Sequence, residues 1–191
     1  MPEIAGPIEA TGPYQTAAQT ANSLLHIIRR AGGLSPDFWH DPFVLGFLFN
    51  FIHGVAVQGG ATAGDYSDMP SVFQHLCGND GLEVLERSTV LRINGDADYR
   101  AGGQAAEKFL DVIYRRRSHD DDPDVRQAHS RASIAVEGWD GPNRPDANNI
   151  FFACLLEAVF LDKIWQHVNR SDVASAPPGE KRETSRDPGY D

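Results

Sequence analysis

The 191-residue chain has only two cysteines, Cys77 and Cys154, and they lie far apart with no CxxC pair. A disulfide scaffold and a zinc ribbon are therefore not predicted. The first 13 residues contain no Lys or Arg and no apolar stretch, whereas a secretory signal combines both. We therefore expect no export by that route, and we expect two buried thiols in a reducing cytoplasm.

The chain also lacks an apolar run long enough to cross a bilayer. Its most apolar window, 43–57, has 15 residues and includes Asn50 and His53, whereas a spanning helix needs about 20 apolar residues. This window is interpreted as a core helix, and no membrane association is predicted.

Basic residues are scarce as well. Lys and Arg number 17 against 27 Asp and Glu, which gives a net charge of -10. Such a charge repels phosphate backbones and anionic lipids, so nucleic acid is not an expected partner, whereas a basic protein is. The one dense basic run, 115–117, precedes four acids at 120, 121, 122 and 124, which are expected to neutralise it.

Metal-binding spacing is absent too. The seven histidines form no HxxxH, HExxH or ExxH pattern. The His-Asp pairs at 40–41 and 119–120 stand before prolines and are interpreted as helix caps. Residues 96–107 place acids at three positions of a calcium loop, but Arg100 and Ala101 occupy positions that need a ligand and a glycine. No metal and no other cofactor is predicted.

The features that are present indicate an all-α fold, because helical periodicity and capping signals recur and no segment alternates like a strand. The predicted helices are 15–31, 42–58, 70–76, 81–93, 96–117, 123–137 and 147–169. They form a single-domain bundle of about six or seven helices, spanning 15–170. Residues 1–14 are predicted to form an N-terminal arm, and residues 171–191 are predicted to be disordered because apolar residues become rare there.

The C-terminal helix is predicted to be the buried centre of this bundle. Between Ile150 and Leu161 its only charged residue is Glu157, and a helix that is apolar on every face is normally buried on every face. We place it against the equally apolar helix 42–58.

Polar residues within these two helices are the candidate site. Gly46, Asn50 and Gly54 follow at four-residue steps, and His53 shares the face of Asn50. Together with Glu157 they predict a ligand pocket, in which the carboxylate would orient the histidine. The alternative is structural: Glu157 pairs with an arginine such as Arg29, His53 binds a carbonyl, and the glycines permit close packing.

Trp139 is a candidate interface residue, because it stands among Gly, Asp, Pro and Asn outside any predicted helix. The alternative is that its side chain closes one end of the bundle.

No catalytic motif is present, so the first functional hypothesis is a non-catalytic cytoplasmic protein. It would act as a regulator, inhibitor or assembly partner by binding another protein through an acidic surface. The second is a small-molecule-binding or hydrolytic domain with its pocket between helices 42–58 and 147–169. Two apolar helices are also compatible with a homodimer.

Overall fold

The computed structural model describes residues 12–31, 34–35, 37–137 and 146–164, which are mostly helical and contain no β-strand. The helices are α1 (Gly12–Ala31), α2 (Pro42–Gln58), α3 (Met69–Cys77), α4 (Gly81–Asn94), α5 (Ala97–Ile113), α6 (Pro123–Glu137) and α7 (Ala147–Leu156). A π-helical turn, Glu157–Leu161, continues α7, and short 3₁₀ turns occupy Phe38–His40 and Gly78–Asp80. The predicted all-α, single-domain class is confirmed.

Local capping chemistry sets several helix starts. The Asp41 carboxylate accepts a hydrogen bond from the Val44 N–H at 3.1 Å, and Asp96 caps α5 through the Tyr99 N–H at 2.9 Å. The helix predicted to reach 117 instead ends at Ile113, because Arg115 adopts a left-handed conformation with φ 52°. Helix α1 begins at Gly12, inside the predicted arm, whereas the predicted tail lies outside the described residues.

Helix α2 lies at the centre of the core, with eleven buried residues: Phe43, Val44, Leu45, Gly46, Phe47, Leu48, Phe49, Phe51, Ile52, Val55 and Ala56. Its Phe47 ring lies 4.1 Å, centroid to centroid, from that of Phe160. The two apolar segments are therefore neighbours, as predicted. Among the described residues, no helix has both the length and the hydropathy that a membrane span requires.

Burial of the C-terminal helix differs along its length. Residues 155, 156 and 158–161 are buried, but 147–149 and 153 are exposed. Helix α7 packs mainly on α6 rather than on α2, and it is Phe160 of the following π-helical turn that contacts Phe43 and Phe47 of α2. The central position predicted for all of it belongs to α2.

Helices α2 and α5 cross at backbone contact. A Cβ added at Gly46 would overlap the Tyr99 carbonyl, and one added at Gly102 would overlap the Phe43 carbonyl. The predicted face of small residues on α2 is therefore used for close helix packing. Gly102, which weakens α5 locally, is required because only glycine leaves space for the α2 backbone.

Substituting Gly46 with alanine should destabilise the fold, because the new methyl group meets backbone that cannot rotate away. We expect a loss of about 1 to 3 kcal/mol or more, which outweighs the gain in helix propensity. The matched variant Gly54→Ala should cost less, since its Cβ would meet only the flexible end of Leu110. Urea unfolding of both variants measures the difference, and equal losses would contradict this account of the crossing.

Candidate functional site

His53 lies near the C-terminal end of α2, partly exposed, and is held by the N-terminal helix. Its Nδ1 lies 2.9 Å from the Tyr14 hydroxyl, and that hydroxyl donates to the carbonyl of Asp65. A phenol has one hydrogen, so Nδ1 of His53 must be the donor in the His53–Tyr14 bond. In the neutral ring, Nε2 is then the nitrogen that accepts hydrogen bonds.

The surroundings keep this ring neutral. Desolvation by burial and the positive charge of Arg92 lower the pKa of His53 from its ordinary value of 6.5, although Asp65 opposes the shift. Burial, with a smaller effect of Asp65, raises the pKa of Tyr14 to about 12. At neutral pH the pair is therefore an uncharged imidazole donating to an uncharged phenol.

A cavity of about 440 Å³ adjoins His53, and α2, the end of α4 and the outer face of α5 form its walls. We call it the His53 pocket. Its α2 wall is Asn50, His53 and Gly54, so three of the residues predicted to form a ligand pocket do line one. The facing wall is α5, however, and not the C-terminal helix.

Three arginines surround the His53 pocket: Arg92, Arg100 and Arg116. The guanidinium of Arg92 lies 5.0 Å from the ring centroids of both Phe49 and Tyr66, which holds it in place by cation–π contact. Within the described residues none of the three arginines forms an ion pair.

Hydrogen bonds position the third arginine and leave one carboxylate on the wall. Arg116 donates twice to the side-chain oxygen of Gln58, at 2.7 and 3.2 Å. The only carboxylate among the described lining residues is Glu107. The pocket is therefore cationic within a chain whose net charge is -10.

The predicted partnership of Asn50, His53 and Glu157 is not formed. Glu157 accepts from Arg131 of α6 at 2.9 Å, so a cation supplied by a different helix satisfies its charge at a partly exposed position. The alternative that Glu157 pairs with an arginine is the arrangement observed, with Arg131 in place of Arg29. A pocket between helices 42–58 and 147–169, the predicted location, is not where this cavity lies.

The remaining residues of the predicted site either contribute to helix packing or lie outside the described residues. The Asn50 amide donates to the Gly46 carbonyl at 2.8 Å and lies against Gly103. Gly46 itself faces the α5 backbone and does not line the cavity. Trp139 lies outside the described residues.

Sequence reasoning missed the arginines of the pocket. From the sequence, Arg100 is used only as evidence against a calcium loop. The acids after residues 115–117 are predicted to neutralise that basic run. Instead Lys108 pairs with Asp122 and Asp124, at 2.7 and 3.0 Å. One pattern in the sequence could have indicated this wall of the pocket. Arg100, Gly103, Gln104 and Glu107 follow at three- and four-residue steps, so they share one face of α5.

The described residues do not support two common kinds of catalytic site, a metal centre and a cysteine nucleophile. They contain no group of three or more His, Cys, Asp or Glu placed to hold a metal ion. Both cysteines are free and partly buried, and burial raises the pKa of the Cys77 thiol to about 12 and also raises that of Cys154. Neither thiol is therefore an activated nucleophile at neutral pH.

Comparisons of the chain with protein-family models, with curated proteins and with solved structures found no match.

The lowered pKa of His53 predicts a loss of stability in mild acid. Below its ordinary value of 6.5 the unfolded chain takes up a proton that the folded chain refuses, so the free energy of unfolding falls until the pH passes the lower, folded pKa. His53→Gln removes this titration. Urea unfolding at about pH 7.5 and about pH 5.5 should show a smaller drop in the variant than in the original chain. An equal drop would show that His53 does not contribute.

Proposed function

We propose that the chain binds a small oxyanion in the His53 pocket, and that the ligand also carries a hydroxyl or amine donor. The observation that supports this most is that three arginines, which form no ion pair within the described part of the chain, surround a neutral histidine. This deepens the small-molecule hypothesis by giving the ligand a charge and a hydrogen-bonding pattern.

The charge of the pocket selects an anion. Among the described lining residues, Arg92, Arg100 and Arg116 outnumber the one carboxylate, Glu107, so the cavity is locally positive. Guanidinium groups bind carboxylates and phosphates through paired, charge-assisted hydrogen bonds. A volume of about 440 Å³ suits a small metabolite rather than a polymer.

The histidine adds a second requirement. Because Nδ1 donates to Tyr14, Nε2 of the neutral ring offers a lone pair and no proton. A ligand that donates a hydrogen bond to Nε2 is therefore favoured over an anion without a donor. The ring is oriented by a neutral phenol and not by a carboxylate, so the arrangement supports binding more than proton transfer.

The other hypotheses remain predictions from the sequence. Interaction with a basic protein through an acidic surface rests on the net charge, and a homodimer rests on the apolar helices. A cytoplasmic location rests on the two free cysteines.

Isothermal titration with citrate, inorganic phosphate and glycerol 3-phosphate tests the anion requirement. Arg100→Gln should weaken binding roughly 10- to 100-fold, because one charge-assisted hydrogen-bonding group is lost. Arg87→Gln is the matched control, since Arg87 is exposed on α4 and does not line the pocket. No measurable binding of any of the three anions, or equal weakening by both variants, would refute the proposal.

A pair of matched ligands tests the donor requirement. Citrate has a hydroxyl that propane-1,2,3-tricarboxylate lacks, so the original chain should prefer citrate. His53→Leu should abolish this preference while leaving some affinity for both anions, because the arginines remain. If the variant retains the preference, Nε2 of His53 is not the acceptor.

A further inference from the structure

A second cavity, of about 990 Å³, lies between the end of α5, helix α6 and the start of α7. We call it the α6–α7 cavity. None of its described lining residues also lines the His53 pocket. The basic run is divided between the two, because Arg115 and Arg117 line this cavity and Arg116 lines the other.

The backbone at Arg115 is strained. It is the only non-glycine residue with positive φ among those described, and it occupies the position after a helix end that usually carries glycine. The Arg115 N–H and the Arg116 N–H close the helix by donating to the carbonyls of Val112 and Asp111. Glycine would satisfy this turn better, so the turn alone does not account for an arginine side chain at the cavity.

A histidine held by a buried carboxylate lies on the same wall. Asp111 is 5% exposed, and its Oδ2 accepts a hydrogen bond from Nε2 of His119 at 3.2 Å. The bond fixes the imidazole ring, which lines the cavity, and leaves Nδ1 as its remaining polar atom. His119 is therefore a preset polar group and not a mobile surface side chain.

The acidic residues near the α6–α7 cavity already have partners other than Arg115 and Arg117. Asp122 and Asp124 bind Lys108, and Asp124 also binds Lys163 at 3.3 Å. Asp120, the only carboxylate among the described lining residues, accepts from the Ser118 hydroxyl. Arg115 and Arg117 form no ion pair with any described residue, so two positive charges line the cavity beside the single negative charge of Asp120.

Aromatic side chains form another part of the cavity lining. Phe151 and Phe152 of α7 are only partly buried, and both line the cavity. His129 stacks on Phe151 at 4.3 Å with an angle of 24° between the rings, and Phe152 is fixed edge-on against Phe109 at 5.2 Å. The cavity lining therefore combines two partly exposed aromatic rings with two arginines.

We propose that the α6–α7 cavity is a second binding site, for an aromatic organic acid. The acid group binds between Arg115 and Arg117, and the aromatic body packs on Phe151 and Phe152. The site does not depend on the function proposed for the His53 pocket, because the two share no described residue.

Fluorescence titration with 1-anilinonaphthalene-8-sulfonate, an aromatic sulfonate, tests the site. Arg115→Gly should weaken binding roughly fivefold or more through the lost charge-assisted contact. Its melting temperature should equal or exceed that of the original chain, because glycine relieves the left-handed backbone. A structural role for the Arg115 side chain would lower the melting temperature instead.

Arg117→Gln provides a second variant whose backbone is not strained, and it should weaken binding similarly. Arg126→Gln is the control, because Arg126 is exposed on α6 and lines neither cavity. Displacement by 1-naphthoate but not by the neutral 1-naphthalenemethanol should confirm the acid requirement. The proposal is overturned if the original chain does not bind the probe, if neither cavity variant weakens binding, if the control weakens it equally, or if the neutral compound displaces the probe as well as the acid does.

Discussion

The backbone contact between α2 and α5 determines the rest of the arrangement. At Gly46 and Gly102 the two helices meet without intervening side chains, which brings the outer face of α5 beside the C-terminal half of α2. Further along the pair, a Cβ at Gly54 would meet only the side chain of Leu110. The two helices therefore touch through backbone at Gly46 and Gly102, and through a side chain at Gly54. The His53 pocket lies at the Gly54 end, where Gly54 and Leu110 line it. The same glycines that permit close packing thus position Arg100 opposite His53.

The basic residues of the described chain differ in whether they form ion pairs. Lys108 and Lys163 neutralise the acids at the start of α6, whereas the arginines that line the two cavities have no ion-pair partner among the described residues. Net charge alone predicts that most of the surface repels phosphate backbones. Local placement matters more, because a charge inside a cavity is screened less than one on an open surface. An acidic chain can therefore still bind anions at defined positions.

Features encoded by neighbouring residues could be predicted from the sequence. Helices α2 and α6 have the predicted bounds, because an aspartate followed by proline marks each start. The pocket residues Asn50, His53 and Gly54 followed from one helical face. The helix opposite them could not be deduced, since the partner of a small-residue face depends on the complementary glycines of α5, which the sequence presents only as weak helix formers. The partner of Glu157 could not be deduced either, because its cation, Arg131, comes from a helix whose packing against Glu157 no local pattern specifies.

A carboxylate–histidine pair was predicted from the core helices, and the structure forms one elsewhere. Asp111 and His119 are separated by the end of α5, and the left-handed residue Arg115 turns the chain so that the loop returns to Asp111. No sequence pattern predicts this turn, because arginine rarely adopts the left-handed backbone conformation. The two histidines consequently differ in what fixes them: a neutral phenol orients His53, and a buried carboxylate orients His119. The left-handed turn at Arg115 therefore allows the hydrogen bond that orients the His119 ring. Arg115 and His119 both line the α6–α7 cavity.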